Sequence, residues 1–212
     1  AKNITLDWNL ERNPPSFEGN DIKFPESLAR YFIENYSPKS GKVFDPFAGL
    51  GTTLFCAEEL NRKAFGMEIE RQKYEWVAAQ IENWMGLVND DAAKMDLYDF
   101  PKMDLILTSP PFMGKNHQWN PLYNGDPKKS GYETYLKRIK FILRKAADVL
   151  KKNGTLIIQV DNVKSGNIFT PLIYNIISCA KPTYKQIDEI KVNWKNPKPD
   201  YPYTTCLIFK KS

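Results

Sequence analysis

Histidine and cysteine are scarce in this chain, and neither is placed for metal or thiol chemistry. His117 is the one histidine in 212 residues, and Cys56, Cys179 and Cys206 lie far apart, each inside an apolar run. A zinc site or redox dithiol needs close pairs such as C-x-x-C, which are missing, so the thiols read as buried and free, and no metal is expected. Long apolar stretches are lacking too, since no run reaches the ~18 residues that a bilayer span requires. The first residues do not have the basic-then-apolar layout of a signal peptide, and a cytoplasmic location is expected. There is no internal repeat and no low-complexity tract. What is present, 42% hydrophobic and 13% aromatic residues, fits a single well-buried domain over residues 1–212.

Charge is unevenly distributed. Residues 1–100 hold 11 Lys+Arg against 17 Asp+Glu, and residues 101–212 hold 19 against 8. A basic second half on a mildly acidic first half points to a polyanionic partner on one side of the fold, although lysine-rich solvated helices alone would give the same count.

Apolar runs and amphipathic segments alternate along the chain. Residues 1–20 are polar and broken by Pro14 and Pro15, and read as an irregular lead-in. A helix opens at Phe24-Pro25-Glu26 and runs to 36, with Leu28, Phe32 and Ile33 on one face. Strands follow at 42–47, 64–69, 87–89, 103–108 and 155–160, separated by helices at 52–60, 71–84 and 133–150, the last capped by Gly154. A final helix is expected at 168–179, then two strands at 184–194 and 204–209. This order predicts an α/β fold: a seven-stranded, mostly parallel, Rossmann-like sheet with a C-terminal antiparallel hairpin. Residues 113–132 have no period, and loops of that length are usually functional or disordered.

Ligands of such sheets sit beyond the carboxyl ends of the strands. Gly49 and Gly51 follow the first of these strands and let the backbone approach a ligand closely, but Leu54 stands where a dinucleotide fingerprint has its third glycine. Glu68 ends the next strand, 17 residues after Gly51, where a carboxylate can accept from a ribose diol. Asp91 is placed to reach an adenine edge, and Asp45 to pair with a cation. Together these suit an adenosine joined to a zwitterion better than a pyrophosphate.

With those residues in view, the chain resembles class I S-adenosylmethionine (SAM) dependent methyltransferases, of the branch that methylates exocyclic amino groups of nucleic-acid bases. Asp45-Pro46-Phe47-Ala48-Gly49-Leu50-Gly51-Thr52-Thr53 is similar to that family's D-P-F-x-G-x-G-T-T loop. Phe24-Pro25-Glu26 resembles its helix-opening segment that helps close over the cofactor, Gly66-Met67-Glu68-Ile69 its ribose-binding strand end, and Asp91-Ala92 its adenine-contacting element. The stretch from Tyr132 through Leu150 and Gly154 to Asp161 resembles the region after its catalytic motif.

That motif is Ser109-Pro110-Pro111-Phe112, directly after a buried strand. Adjacent prolines fix two φ angles and present rigid carbonyl acceptors. A base amino group is a poor nucleophile because its lone pair is delocalised. Hydrogen bonds from its N–H groups to the Ser109 hydroxyl and Pro110 carbonyl would favour a tetrahedral nitrogen, with Phe112 stacked on the base. In the family, Ser in first place is usual for cytosine N4, and Asp or Asn for adenine N6. The resemblance thus implies cytosine-N4 methylation, with adenine N6 the nearest rival and a non-catalytic nucleic-acid-binding subunit of the same fold a further one. Methylation at cytosine C5 needs a nucleophilic cysteine, normally after proline, and no cysteine here follows proline.

If the strands point one way, the segments 113–132, 162–167 and 195–203 share one rim. They carry Lys115, Lys128, Lys129, Lys164, Lys195 and Lys198 with Trp119, Tyr123, Tyr201 and Tyr203, a mixture suited to phosphate contact and base stacking. His117 reads as a surface-loop residue. A duplex target base would have to be flipped out to reach Ser109. No separate target-recognition domain is expected in 1–212. That leaves a short DNA site read by loops, a structured RNA such as rRNA read by shape, or specificity shared with a partner chain or a second copy of this one.

Overall fold

The apolar runs lack alternation because the strands they form are covered on both faces. In the computed structural model, which describes residues 1–18, 24–198 (197 and 198 by backbone only) and 201–212, five helices pack on the two faces of an eight-stranded sheet. In chain order the elements are β1 (Lys2–Leu6), α1 (Glu26–Tyr36), β2 (Lys42–Asp45), α2 (Thr52–Glu59), β3 (Lys63–Met67), α3 (Arg71–Ala78), β4 (Leu87–Val88) and β5 (Met103–Thr108). Then follow α4 (Tyr132–Val149), β6 (Leu150–Val160), β7 (Val163–Ser165), β8 (Ile168–Thr170), α5 (Leu172–Ala180), β9 (Tyr184–Lys198) and β10 (Tyr201–Lys211).

The sheet order is β1-β9-β10-β6-β5-β2-β3-β4. Its pairings are parallel except those of β10, which runs antiparallel to both β6 and β9. One core, under α4 and α5, gathers Tyr135, Ile139, Leu143 and Ile176 against Phe44, Ile106 and Ile158. The other, under α1, α2 and α3, gathers Phe32, Ile33, Leu54 and Val77 against Val43, Leu105 and Val192. The strand directions bring the carboxyl ends of β2, β3, β5, β6 and β9 and the start of β10 to one rim.

Four local expectations are corrected. The lead-in is not irregular throughout: residues 2–6 form an eighth strand, parallel to β9, with Ile4 and Leu6 packed on the second core. The helix from Arg71 stops at Ala78, and the chain then turns before a short 3-10 segment, Trp84–Gly86. Gly154 does not cap α4 but lies inside β6, at an irregularity in its pairing with β5. A Cβ there would meet Leu150 Cδ1 at 2.6 Å, so the close fold-back of the strand requires glycine. The last helix begins at Leu172, because Pro171 sits at its entry and residues 168–170 pair with 163–165 in a hairpin turned by Gly166 (φ 58°).

The stretch 113–132 is held by its own side chains. Asn120, fully buried, accepts from Leu122 N and donates to the Lys129 carbonyl, framing two 3-10 turns at Pro121–Tyr123 and Pro127–Lys129.

Candidate active site

Three strand ends meet at the rim. Asp45 closes β2, and its Oδ1 accepts from Thr108 Oγ1 (2.6 Å) at the end of β5 and from Phe47 N (3.0 Å). Burial pushes its carboxyl up to about 6, against the opposing pull of the hydrogen bonds from Thr108, Phe47 and Thr53. The chain then passes through Gly49 (φ 54°) and Gly51 (φ 79°) into α2. Gly51 sits so close to α3 that a Cβ would lie 2.8 Å from Val77 Cγ1, whereas a Cβ on Gly49 would meet nothing nearer than 3.9 Å. The first side chain after the glycines, Thr52, has a buried hydroxyl without a hydrogen-bond partner among the described residues.

Glu68 follows β3 and clamps this loop. Its Oε2 accepts from Gly49 N (2.7 Å) and its Oε1 from Glu70 N (2.8 Å). Burial outweighs these bonds and raises the carboxyl to about 7. Asn89 Nδ2 donates to the carbonyls of Glu68 and Ile69, leaving the Ile69 side chain exposed beside the loop. Asp91 caps the turn over Ala92–Leu97 through Ala93 N (2.9 Å) and accepts from Arg138 Nη2 of α4 (2.9 Å). Ala92 is buried beneath it. On the far side Phe24, Pro25 and Glu26 open α1, and the buried Glu26 carboxylate accepts from the backbone N–H groups of Glu11 and Arg12. Arg12 in turn lies 3.6 Å over the Phe55 ring of α2, so the lead-in is drawn across the helices flanking the glycine loop.

The Ser109–Phe112 tetrad leaves β5 at the same rim. Tyr135 Oη of α4 donates to the Pro111 carbonyl (2.7 Å), and Phe112 is half-buried against the α4 core. Ser109 Oγ donates to Gln159 Oε1 (2.5 Å) in β6. Gln159 Nε2 donates to Thr204 Oγ1 (2.6 Å) and Asp161 Oδ2 (3.1 Å). Asp161 also accepts from Thr204 Oγ1 (2.6 Å), Tyr201 Oη (2.6 Å) and Thr205 N (3.2 Å). Gln159 and Asp161 are not among the site residues read from the sequence; the available signal is a polar Gln159 inside the apolar run 156–160 and Asp161 directly after it.

The rim residues divide. Lys115, Lys128, Lys129, Lys164 and Trp119 are exposed, with Trp119 packed along Gly125, and Tyr203 is exposed beneath Lys191 Nζ at 3.9 Å. Tyr123 is half-buried under the Arg138 guanidinium (4.6 Å), Tyr201 is spent on Asp161, and Lys195 is paired with Asp7. The Lys198 side chain lies outside the described residues. His117 is exposed, 3.3 Å from Ser165 Oγ of the β7–β8 hairpin. All three cysteines are buried and free, and burial raises Cys56 to about 12, far from a thiolate nucleophile.

A model of the N6/N4 DNA methylase family matches residues 2–80 and 103–209. The chain belongs to this family. Among curated relatives, the type II methyltransferase M.SmaI of Serratia marcescens is 36% identical over 72 residues, which is 34% of this chain and 24% of that protein. M.MjaVI of Methanocaldococcus jannaschii is 34% identical over 99 residues, 46% of this chain and 47% of its own length. The matches thus span less than half of either relative. Among solved structures, TrmN of Thermus thermophilus shares the fold with a TM-score of 0.64 at 17% identity, over 88% of this chain and 49% of that one.

SAM is the cofactor of this DNA methylase family, and the residues present fit it. The loop offers an unpartnered hydroxyl at Thr52, open space at Gly49, and two strand-end carboxylates, Asp45 and Glu68, matched to a molecule with an ammonium and a diol. No helix among the described residues is long and apolar enough to cross a membrane.

Proposed function

We propose that this methylase domain transfers a methyl group from SAM to the exocyclic N4 amino group of cytosine in nucleic acid, DNA being the expected polymer. When bound, SAM supplies an electrophilic sulfonium methyl. Asp45, Thr52 and Thr53, beside Phe47, Gly49 and Gly51, would hold its methionine end, and Glu68 its ribose. Ile69, Asp91 and Ala92 would line the adenine, and Phe24, Pro25 and Glu26 would close the pocket.

The observation that carries the reading is the fixed tetrad. Pro110 and Pro111 stiffen the exit from β5, Tyr135 pins the Pro111 carbonyl, and Ser109 stands at the rim shared with the glycine loop. Ser109 Oγ and the Pro110 carbonyl would accept the two N–H groups of the target amine, drawing its lone pair out of conjugation and aiming it at the cofactor side. Phe112 would stack on the base, a contact worth ~1–3 kcal/mol. Holding the partners at near-attack distance supplies much of the acceleration, and no covalent enzyme intermediate is needed: the methylated amine would give up one N–H proton to solvent afterwards, and the other product is the neutral thioether. Serine in the first place of the tetrad supports cytosine over adenine, whose N6 amine is the alternative target in this family. Lys115, Lys128, Lys129 and Lys164, with Trp119 and Tyr203, form the exposed basic and aromatic rim that would track the backbone.

Ser109→Ala tests the assignment. Turnover should fall by about a hundredfold, the scale expected when a reacting group is misplaced, while SAM affinity by calorimetry stays unchanged. Full turnover in the variant would remove Ser109 from the mechanism.

A further inference from the structure

A serine hydroxyl is ambivalent. It serves as an acceptor for an amine N–H only if its own proton is directed elsewhere, because a freely turning hydroxyl also presents that proton to the substrate. In this chain the direction is set. Ser109 Oγ donates to Gln159 Oε1 at 2.5 Å. The Gln159 amide cannot turn over without cost, because Nε2 faces Asp161 Oδ2 (3.1 Å) and Thr204 Oγ1 (2.6 Å). Asp161, when ionised, has no proton to give: its Oδ2 accepts from Tyr201 Oη, Thr204 Oγ1 and Gln159 Nε2 and its Oδ1 from Thr205 N, so it favours the nitrogen end of the amide over the oxygen end. Every hydrogen bond from Ser109 inward thus has a determined sense, across β5, β6 and β10. The sites are mostly removed from water: Gln159 is 6% exposed, Thr204 1% and Thr205 5%. In such surroundings a broken link is costly.

We propose that Gln159 is a positioning residue that takes the Ser109 hydroxyl proton and so makes Ser109 an obligate acceptor for the target amine, with Asp161 and Thr204 fixing the sense of the Gln159 amide. The proposal rests on the amino-methyltransferase reading. It also accounts for how a neutral serine does the work that a carboxylate, which carries no proton, does without assistance.

The test is a double-mutant cycle in single-turnover methyl transfer from labelled SAM, with nucleic-acid and SAM affinities measured alongside. Gln159→Met keeps the length of the side chain and removes the amide. It should lower the rate of transfer by about ten- to a hundredfold with both affinities unchanged. In a Ser109→Ala background, where no hydroxyl remains to orient, the same substitution should cost less than about twofold. Thr204→Val, which removes one partner of the amide and keeps the strand's shape, should give a smaller fall with the same dependence on Ser109, and serves if Gln159→Met melts early. An equal loss in the two backgrounds would mean a structural role and overturn the proposal, as would an unchanged rate in Gln159→Met. A wild-type chain that transfers no methyl to any nucleic acid would overturn the underlying reading, and the proposal with it.

Discussion

Glu68, the proposed ribose ligand, would serve the fold and the ligand in opposite senses. Its carboxylate holds Gly49 N and Glu70 N, yet burial raises it from 4.5 to about 7, so near neutrality it is half protonated. A folded-state value above the unfolded one means that the folded chain binds this proton more tightly. The resulting contribution to stability is complete below about 4.5 and is lost as pH rises through about 7. Cofactor binding runs the other way, since a ribose diol donates to an ionised carboxylate and a protonated one has lost an acceptor. The Glu68 contribution to SAM affinity, measured by calorimetry, should therefore weaken about tenfold from pH 8 to pH 6, and Glu68→Gln should weaken binding at pH 8 and leave only the roughly twofold dependence expected from Asp45, which burial raises to about 6. A pH-independent affinity in the wild-type chain would take Glu68 out of the cofactor site. The Gln159–Asp161–Tyr201 arrangement belongs to the same scale and was hidden in the sequence for a physical reason. A single polar residue at a strand end carries no periodic signature, and nothing local reveals that the Tyr201 hydroxyl turns inward to Asp161, while the sequence suggests its ring as a stacking surface.

At the scale of elements, the glycine loop, a strand-to-helix turn, is the part most tightly specified by sequence. Gly51 has φ 79° and no room for a Cβ against Val77, so Gly51→Ala should cost about 1–3 kcal/mol by combining backbone strain with a clash. Denaturant unfolding of the variant checks this; an unchanged midpoint would show that the loop relaxes freely. The central strands β2, β3, β5 and β6 were legible because burial on both faces writes a continuous apolar run. Strand β1 was not. It offers only Ile4 and Leu6 at alternate places, and its partner β9 lies at the other end of the chain, so no local window contains the pairing. The start of α5 was misplaced because Ile168 and Phe169 are apolar, although Pro171 marked the helix entry and the two residues project from the β7–β8 hairpin instead. The Asp45–Thr53 loop and the Ser109–Phe112 tetrad were readable as motifs; the way Thr108 fastens one strand end to the other was not.

Across the whole molecule, the sheet's topology brings only part of the basic second half to one rim: six of its nineteen Lys+Arg lie in segments 113–132, 162–167 and 195–203, and the others are spread over α4 and the rest of the second half. The basic second half supplies the loops after β5 and β6 and the β9–β10 end, and strand direction gathers these on the rim that carries Ser109. Exposed Lys115, Lys128, Lys129 and Lys164 lie on this side with Trp119, as does Lys195, which is exposed and only surface-paired with Asp7, whereas Tyr123 and Tyr201 are half-buried against partners within the fold. On the proposed reading, the exposed side chains that would meet a polymer lie mainly on the 113–132 loop and the hairpin, with Lys195 and Tyr203 beside them. The central claim, methyl transfer to cytosine N4 through Ser109, is tested most directly by nucleoside mass spectrometry of DNA and rRNA incubated with labelled SAM. The account predicts labelled N4-methylcytosine in DNA with wild-type protein and its near-complete loss with Ser109→Ala. Label on adenine N6 or cytosine C5, or no labelled nucleoside from either polymer, would contradict it.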